Sequence, residues 1–130
     1  MKRVALDTSA YRALEDGDKY LADAIKWADS VGLPIIVVGE LYAGFINGTR
    51  LAENVAKLDK FCLSPRMEIL NIDKSTARHF GEIATLLRQT GKPIQQDDMW
   101  IAALCKQYGY VLATTDKDFE RVTGLEVLWI

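Results

Sequence analysis

Short runs of consecutive apolar residues alternate along this chain with stretches whose apolar positions recur at helical spacing. The runs predict five short buried strands, because a run of about four apolar residues next to turn or capping residues is typical of a strand covered on both faces. These predicted strands cover residues 3–6, 34–37, 67–70, 110–113 and 126–129.

The stretches between the predicted strands carry apolar residues at intervals of three and four, which predicts helices. The first starts near Ser9, and the next three cover 18–31, 40–46 and 51–62. Two more helices follow, and for each of them two acidic or hydroxyl residues are possible N-caps. The possible N-caps are Asp73 or Ser75 and Asp97 or Asp98, and the helices end at Gly91 and Gly109.

Strands that alternate with helices favour an α/β fold, in which helices cover both faces of a mostly parallel sheet. The chain has 130 residues, an apolar content of 49% and a charged content of 26%, which are ordinary values for a globular domain. We therefore predict a single domain over residues 1–130, built as a three-layer sandwich around about five strands.

Four acidic residues in apolar surroundings, Asp7, Glu40, Asp98 and Asp116, are the candidate chemistry of this chain. Asp7 and Asp116 follow predicted strands, and Glu40 opens a predicted helix after the second strand. Parallel strands end at the same edge of a sheet, where α/β proteins bind ligands. Carboxylates beside a core need a compensating cation, and a hard divalent ion could compensate several at once. The pattern therefore predicts a site for Mg²⁺ or Mn²⁺ that activates water for hydrolysis.

Each acid also has a simpler interpretation when it is taken alone. Asp7 could be an N-cap, and Glu40 could complement a helix dipole. One member of the pair Asp97 and Asp98 could cap its helix while the other points into the site. Asp116 and Asp118 could belong to a solvated turn, and we prefer Asp116 as the ligand because it is closer to the strand end.

The net charge of −2 and the pI near 5.4 exclude nucleic-acid binding by bulk electrostatics. A substrate that carries phosphate would have to be attracted locally, by metal ions or by a few cations. Arg12, Lys92 and Lys117 are candidates for phosphate contact, and a solvated surface charge is the alternative for each.

Other functional classes lack their sequence signals. No apolar stretch reaches the roughly 18 residues that span a bilayer, so we expect a cytoplasmic protein without a membrane anchor. Cys62 and Cys105 lack metal-type spacing and are expected to be buried, reduced thiols. With His79 as the one histidine and no G-x-S-x-G motif, a serine–histidine–aspartate mechanism is not favoured.

The segments LDTSA, GELYAG, GKPIQQDDMWIAA, TTDKDF and GLEVLWI together resemble the PIN-domain ribonucleases, specifically the VapC-type toxins of toxin–antitoxin pairs. The resemblance implies that the four candidate acids named above hold the metal and that the substrate is RNA. It also implies that Thr8 or Ser9 orients water or substrate and that Thr114 or Thr115 lines the site. A small antitoxin protein and a second copy of the chain are the implied partners.

Two departures and two alternatives accompany this resemblance. Family members often carry Asn where this chain has Asp97, and Asp118 is a second acid close to Asp116. The protein could act chiefly as a regulatory partner of an antitoxin–DNA complex, with little cleavage. It could also be a phosphatase of the haloacid-dehalogenase type, although Ser9 stands where that family needs a second Asp.

Overall fold

The computed structural model describes residues 2–130, and all neighbouring strands of its five-stranded sheet are parallel. The strands are β1 (Arg3–Leu6), β2 (Ser30–Pro34), β3 (Met67–Leu70), β4 (Val111–Thr114) and β5 (Val127–Trp129). The helices are α1 (Thr8–Glu15), α2 (Lys19–Lys26), α3 (Ile35–Ile46), α4 (Leu51–Cys62), α5 (Lys74–Thr90) and α6 (Gln96–Tyr108). A 3₁₀ helix covers Lys117–Arg121. The predicted α/β fold with five parallel strands is confirmed.

The central strands are covered on both faces, as a three-layer arrangement requires. In β1, the consecutive residues Val4, Ala5 and Leu6 are all buried, although successive side chains of a strand point to opposite faces. The same holds for Leu112 and Ala113 in β4. Apolar side chains of the helices therefore pack on each side of the sheet and form the core.

The predicted second strand at 34–37 is wrong, and the predicted helix over 18–31 is present but extends too far at its C-terminal end. The strand is β2 at Ser30–Pro34, and α2 ends at Lys26. Buried Gly32 lies in this strand rather than at a helix end, and a β-carbon there would be 2.8 Å from the Tyr110 ring. The β-branched run after Pro34 suggested a strand, but it forms the first turn of α3. A proline with its fixed φ is compatible with the start of a helix.

This correction also moves Glu40, which lies in the second turn of α3 and does not open the helix. The two acids predicted as caps of α6 are not caps either, because Gln95 is the N-cap and Asp97 and Asp98 occupy the first turn. Acids in a first turn interact favourably with the helix dipole without capping the backbone. Of the two candidate caps of α5, Asp73 is the N-cap.

Several helix ends agree with the sequence prediction. Asn47 follows the last residue of α3, and Gly91 and Gly109 end α5 and α6 with left-handed φ angles of 68° and 73°. Both cysteines are free: Cys105 is buried, and Cys62 is half-buried. Among residues 2–130, no helix has the length and apolar character needed to cross a membrane.

The strand order β3-β2-β1-β4-β5 determines where a site can form. From β1 the chain builds one half of the sheet, and it then crosses to the other side of β1 to build β4 and β5. The topological switch point therefore lies between β1 and β4. The register pairs Leu6 with Ala113, so the next residues, Asp7 and Thr114, extend side by side from the sheet at that point.

Candidate active site

Three carboxylates converge beyond the carboxyl end of β4. One ligand oxygen from each of Asp98, Asp116 and Asp118 lies within 4.8 Å of the other two, and all three residues are half-buried. Asp98 comes from the first turn of α6, whereas the other two flank the start of the 3₁₀ helix. We call this group the acidic trio.

Local hydrogen bonds and one buried ring position the 3₁₀ helix that carries two members of the acidic trio. Asp116 is its N-cap and accepts a hydrogen bond from the Asp118 backbone N–H at 2.9 Å. The next residue, Phe119, is 1% exposed and is among the largest fully buried side chains. A ring buried in the core holds the backbone of its neighbours, so Phe119 fixes where Asp118 can point.

Asp7 lies close to Asp98 of the acidic trio and is only 6% exposed. It is the N-cap of α1, and its Oδ1 accepts hydrogen bonds from the Ala10 backbone N–H at 2.8 Å and from the Ser9 hydroxyl at 2.6 Å. The capping interpretation is thus correct, and it is compatible with a site role because the second carboxylate oxygen faces Thr114. The hydroxyl of Thr114 donates to that oxygen.

Thr114 is fully buried and connects the ends of β1 and β4. Its hydroxyl donates to Asp7 and accepts a hydrogen bond from the Asp116 backbone N–H at 2.9 Å. A hydroxyl can do both at once. Ser9 adds a second connection, because its oxygen accepts a hydrogen bond from the Thr115 backbone N–H at 3.1 Å.

Glu40 approaches the site from α3 and is half-buried. Its Oε1 accepts a hydrogen bond from the Thr8 hydroxyl at 2.7 Å, across 32 positions in sequence. This contact holds the first turn of α1 against the second turn of α3. Glu40 is therefore held by a neighbouring side chain rather than being free in solvent.

Asp98 is the electrostatic centre of the site. The pKa of Asp98 is raised to about 7, and partial burial is the largest cause. The negative charges of Asp116, Glu40, Asp7 and Asp118 raise it further. A nearby like charge disfavours ionisation, so all four acids lie close enough to Asp98 to affect its proton. The structure thus brings the four sequence-predicted acids together and adds Asp118 to them.

The acidic trio fits a divalent cation. Opposite ligands of an octahedral Mg²⁺ ion are about 4.2 Å apart, because each oxygen lies about 2.1 Å from the metal. The three ligand oxygens lie within 4.8 Å of one another, which is close to this separation. Small side-chain rotations would therefore let all three oxygens contact one ion. Oxygen donors with excess negative charge suit Mg²⁺ and Mn²⁺. Asp98, Asp116 and Asp118 are the residues that would hold the ion directly.

The remaining sequence candidates lie at the margin of the site. Asp97 is exposed and does not belong to the acidic trio. Thr115 is also exposed and contributes its backbone N–H rather than its hydroxyl. Arg12 is exposed one helical turn beyond Thr8, and it lies against α3 where Gly44 has no side chain.

Two supporting residues were missed by the sequence analysis. Phe119 looks like any apolar residue after a turn, and only its burial reveals that it anchors the 3₁₀ helix. Arg121 looks like a plain surface charge in the sequence, yet its Nη1 lies 3.5 Å from Asp118 and donates to the Pro93 carbonyl at 3.1 Å. A helical spacing of three residues from Asp118 to Arg121 is the signal that could have suggested the ion pair.

This chain has a parallel α/β sheet with an acidic site at the switch point of the sheet. A match to a family model shows which family the chain belongs to. Residues 4–125 match the family model of the PIN domain. The match includes all five acids of the site, and the chain therefore belongs to the PIN domain family.

Its relatives within the family are VapC ribonucleases. Ribonuclease VapC2 of Haemophilus influenzae is 35% identical over 91 residues, which cover 69% of this chain and 67% of that protein. Ribonuclease VapC4 of Mycobacterium tuberculosis is 25% identical over 134 residues, which cover 100% of this chain and 98% of that protein. The resemblance to VapC-type members of the family is confirmed.

Solved structures share the whole fold. VapBC2 from Rickettsia felis, bound to a DNA fragment from its promoter, matches with a TM-score of 0.86 at 24% identity over 98% of each chain, a likeness that shows the fold alone. VapBC-5 from Mycobacterium tuberculosis, a member of the VapBC family of toxin–antitoxin systems, matches with a TM-score of 0.75 at 25% identity. That match covers 100% of this chain and 98% of the other.

The phosphatase alternative has no support in these findings. A haloacid-dehalogenase site needs a second Asp two positions after the first, and here Ser9 uses its hydroxyl to bind Asp7 at 2.6 Å. Membership of the PIN domain family accounts for the same acids without that requirement.

Proposed function

We propose that this chain is an endoribonuclease that hydrolyses phosphodiester bonds in RNA with Mg²⁺ or Mn²⁺ in the cytoplasm. The observation that carries the proposal is the acidic trio at the switch point, with Asp7 and Glu40 close enough to raise the pKa of Asp98. The names of the relatives, which are ribonucleases, support the choice of RNA as substrate.

Each acid has a defined part in this proposal. Asp98, Asp116 and Asp118 hold the cation directly. Buried Asp7 and half-buried Glu40 supply further negative charge and orient water or substrate beside the ion. When bound, the ion neutralises charge on the phosphodiester and activates the attacking water. Thr114 and Thr8 fix the directions of Asp7 and Glu40 by the hydrogen bonds described above. Such outer contacts strongly influence metal affinity.

We also propose that a small antitoxin protein binds and inhibits the chain and that the chain forms a homodimer. Neighbouring structures named VapBC, which pair a toxin with an antitoxin, support the first part. Of the aromatic residues in the first third of the chain, Tyr20 is 60% exposed and Trp27 is 68% exposed. These two rings are available to a partner, whereas Tyr11 is buried in the core.

The test of RNA cleavage uses two neighbouring acids as a matched pair. Asp98→Asn and Asp97→Asn remove the same charge from adjacent positions of α6, but only Asp98 belongs to the acidic trio. We expect Asp98→Asn to lower the cleavage rate of an RNA oligonucleotide by at least about 100-fold, as losses of a metal ligand do. We expect Asp97→Asn to stay within about threefold of the parent protein.

The same experiment distinguishes the alternative of a binding protein with little activity. Cleavage that is equal in the parent protein, Asp97→Asn and Asp98→Asn would contradict the role proposed for Asp98 in holding the metal. Absence of cleavage in all three at saturating Mg²⁺ or Mn²⁺, with a purified antitoxin still bound, would favour the binding role. Loss of activity on adding EDTA and recovery on adding Mn²⁺ would support the metal.

A further inference from the structure

A second polar cavity adjoins the candidate active site. It has a volume of about 710 Å³ and lies between the end of α5, the segment that follows it and the 3₁₀ helix. This volume is within the range of about 300–1,000 Å³ that is typical of ligand sites. Asp118 is common to the cavity and to the acidic trio, so the cavity opens directly beside the proposed metal ion.

The lining of this cavity carries more positive than negative side chains. Lys92, Lys117 and Arg121 face two acids, Asp118 and Glu120, which leaves a surplus of one positive charge. The cavity therefore offers local attraction for phosphate, which the net charge of −2 does not supply.

Arg121 joins the two walls of the cavity, and the side chains of Lys92 and Lys117 are available to bind a ligand. Arg121 pairs with Asp118 at 3.5 Å and donates to the Pro93 carbonyl at 3.1 Å, which ties the 3₁₀ helix to the segment after α5. Within residues 2–130, neither lysine side chain forms an ion pair or hydrogen bond. Lys92 and Lys117 are both exposed, and they stand on the two walls that Arg121 joins.

The chemistry of the lining indicates which part of a nucleic acid would bind. None of the lining residues within 2–130 is aromatic, so they offer no ring on which a base could stack. Two free ammonium groups suit phosphate oxygens, and contacts to phosphate position a strand without reading its sequence. The ligand class is thus the ribose–phosphate backbone.

We infer that Lys92 and Lys117 form a backbone subsite that binds the phosphates of the RNA strand next to the scissile bond. This inference rests on the proposed ribonuclease function and extends it from the acidic trio to the adjoining cavity. Its consequence is that the chain needs an RNA longer than the cleaved dinucleotide for full affinity. The contribution is independent of base sequence.

The test compares Lys92→Gln/Lys117→Gln with Lys60→Gln/Lys74→Gln, a pair of exposed lysines on α4 and at the opposite end of α5. Binding of fluorescent single-stranded RNA is measured with Ca²⁺ in place of Mg²⁺, at several salt concentrations. We expect the first variant to bind about tenfold more weakly and its slope of log K against log salt to be shallower by about 1.4, or about 0.7 for each phosphate contact. We expect the control pair to match the parent protein.

Kinetics give a second measurement. With Mg²⁺, the first variant should show a KM raised about tenfold for a long RNA and a kcat within about twofold, because a phosphate contact away from the reacting bond stabilises ground and transition states equally. On a dinucleotide substrate, it should match the parent protein. Such a difference between substrates would not arise from a general loss of structure.

The outcomes separate this inference from the proposed function. If the parent protein cleaves RNA but Lys92→Gln/Lys117→Gln has the same affinity and salt slope, the subsite is wrong and the nuclease stands. If both lysine pairs weaken binding equally, only total charge matters and the subsite is again wrong. If no RNA is cleaved but the first variant alone loses RNA affinity, the nuclease is wrong, and the two lysines bind RNA phosphates without a role in cleavage.

Discussion

The Thr8 hydroxyl donates a hydrogen bond to Glu40 Oε1 at 2.7 Å, and this contact joins α1 to α3 at the edge of the acidic site. Thr8 follows Asp7, which caps the same helix. One helical turn later, Arg12 of α1 lies against Gly44 of α3, where a β-carbon would be 2.9 Å from the guanidinium. The two helices are thus fitted to each other at successive turns, and Glu40 takes its position from that fit.

Replacing Thr8 by Val should release Glu40 without removing a charge. We expect Thr8→Val to weaken the apparent affinity for Mn²⁺ by about 10-fold or more, as the loss of an orienting hydrogen bond does at other metal sites. Thr8→Ser retains the hydroxyl and should restore most of the affinity. The measurement is a titration of RNA cleavage against metal concentration, and equal values for Val and Ser would contradict the role of this hydrogen bond.

Thr114→Val should disturb the site more than Thr115→Val. The first change removes the hydroxyl that binds both Asp7 and the Asp116 backbone N–H, inside the protein. A buried polar group that loses its hydrogen-bond partner destabilises a protein by about 1–3 kcal/mol. We expect Thr114→Val to lower the free energy of unfolding by this amount and to lower the activity. Thr115 is exposed and uses only its backbone, so its variant is the matched control. Urea unfolding of both variants provides the comparison.

The raised pKa of Asp98 predicts how the stability of the metal-free protein depends on pH. Its pKa of about 7 exceeds the ordinary value of 3.8, so the folded state binds more protons between these two pH values. Stability contributed by this residue therefore falls as pH rises from about 4 to about 7. We expect Asp98→Asn to be more stable than the parent at pH 8 by about 1–2 kcal/mol, after allowance for solvent screening.

The same comparison at pH 4 should show almost no difference between the two proteins, because Asp98 is then protonated when folded. Thermal unfolding in EDTA at both pH values is the measurement. A gain for Asp98→Asn that is equal at pH 4 and pH 8 would contradict an origin in this carboxyl group. Saturating Mg²⁺ should stabilise the parent protein more than the variant, because ligands stabilise the state that binds them.

Protons should compete with the metal in the range of pH where Asp98 titrates. Metal binding needs the ionised carboxylate, and with a pKa of about 7 its ionised fraction falls roughly tenfold from pH 8 to pH 6. We expect the Mn²⁺ concentration for half-maximal binding to rise by about the same factor. Isothermal titration calorimetry at the two pH values tests this, and an unchanged value would assign binding to other groups.

Two glycines should respond oppositely to alanine. In β2, a β-carbon at Gly32 would lie 2.8 Å from the buried Tyr110 ring, and we expect Gly32→Ala to destabilise the fold by about 1–3 kcal/mol. Gly81 lies inside α5 with nothing within 4 Å of a β-carbon, and its substitution should stabilise by about 0.5–1 kcal/mol. Urea unfolding measures both, and a stable Gly32→Ala would contradict the close packing of β2.

The error over the second strand shows the limit of local pattern. Residues 35–38 are apolar and mostly β-branched, and such a run favours a strand when it is read alone. Pairing with the neighbouring strands places the strand earlier in the chain. Val31 of β2 pairs with Val4 of β1 and with Met67 of β3, and Gly32 belongs to the same register. Gly32 is needed there because Tyr110 lies across it, a contact between residues distant in sequence.

The sequence alone determined the features that depend on neighbouring residues. Runs of consecutive apolar residues between helical stretches predicted the parallel α/β sheet. Glycines marked the ends of α5 and α6, and acids after strands marked the functional edge. The sequence motifs around these acids were sufficient to identify the family. These properties follow from backbone geometry and local hydrogen bonding, which short segments encode.

Only the tertiary structure decided how the acids act together. Thr114 and Asp7 are 107 positions apart, yet one hydroxyl joins them. Asp118 belongs to the acidic trio together with Asp98 and Asp116, although the sequence ranked it below Asp116. The raised pKa of Asp98 likewise depends on charges from several elements. Electrostatic energy varies with distance and burial rather than with order along the chain, and the packing of helices on the sheet determines both.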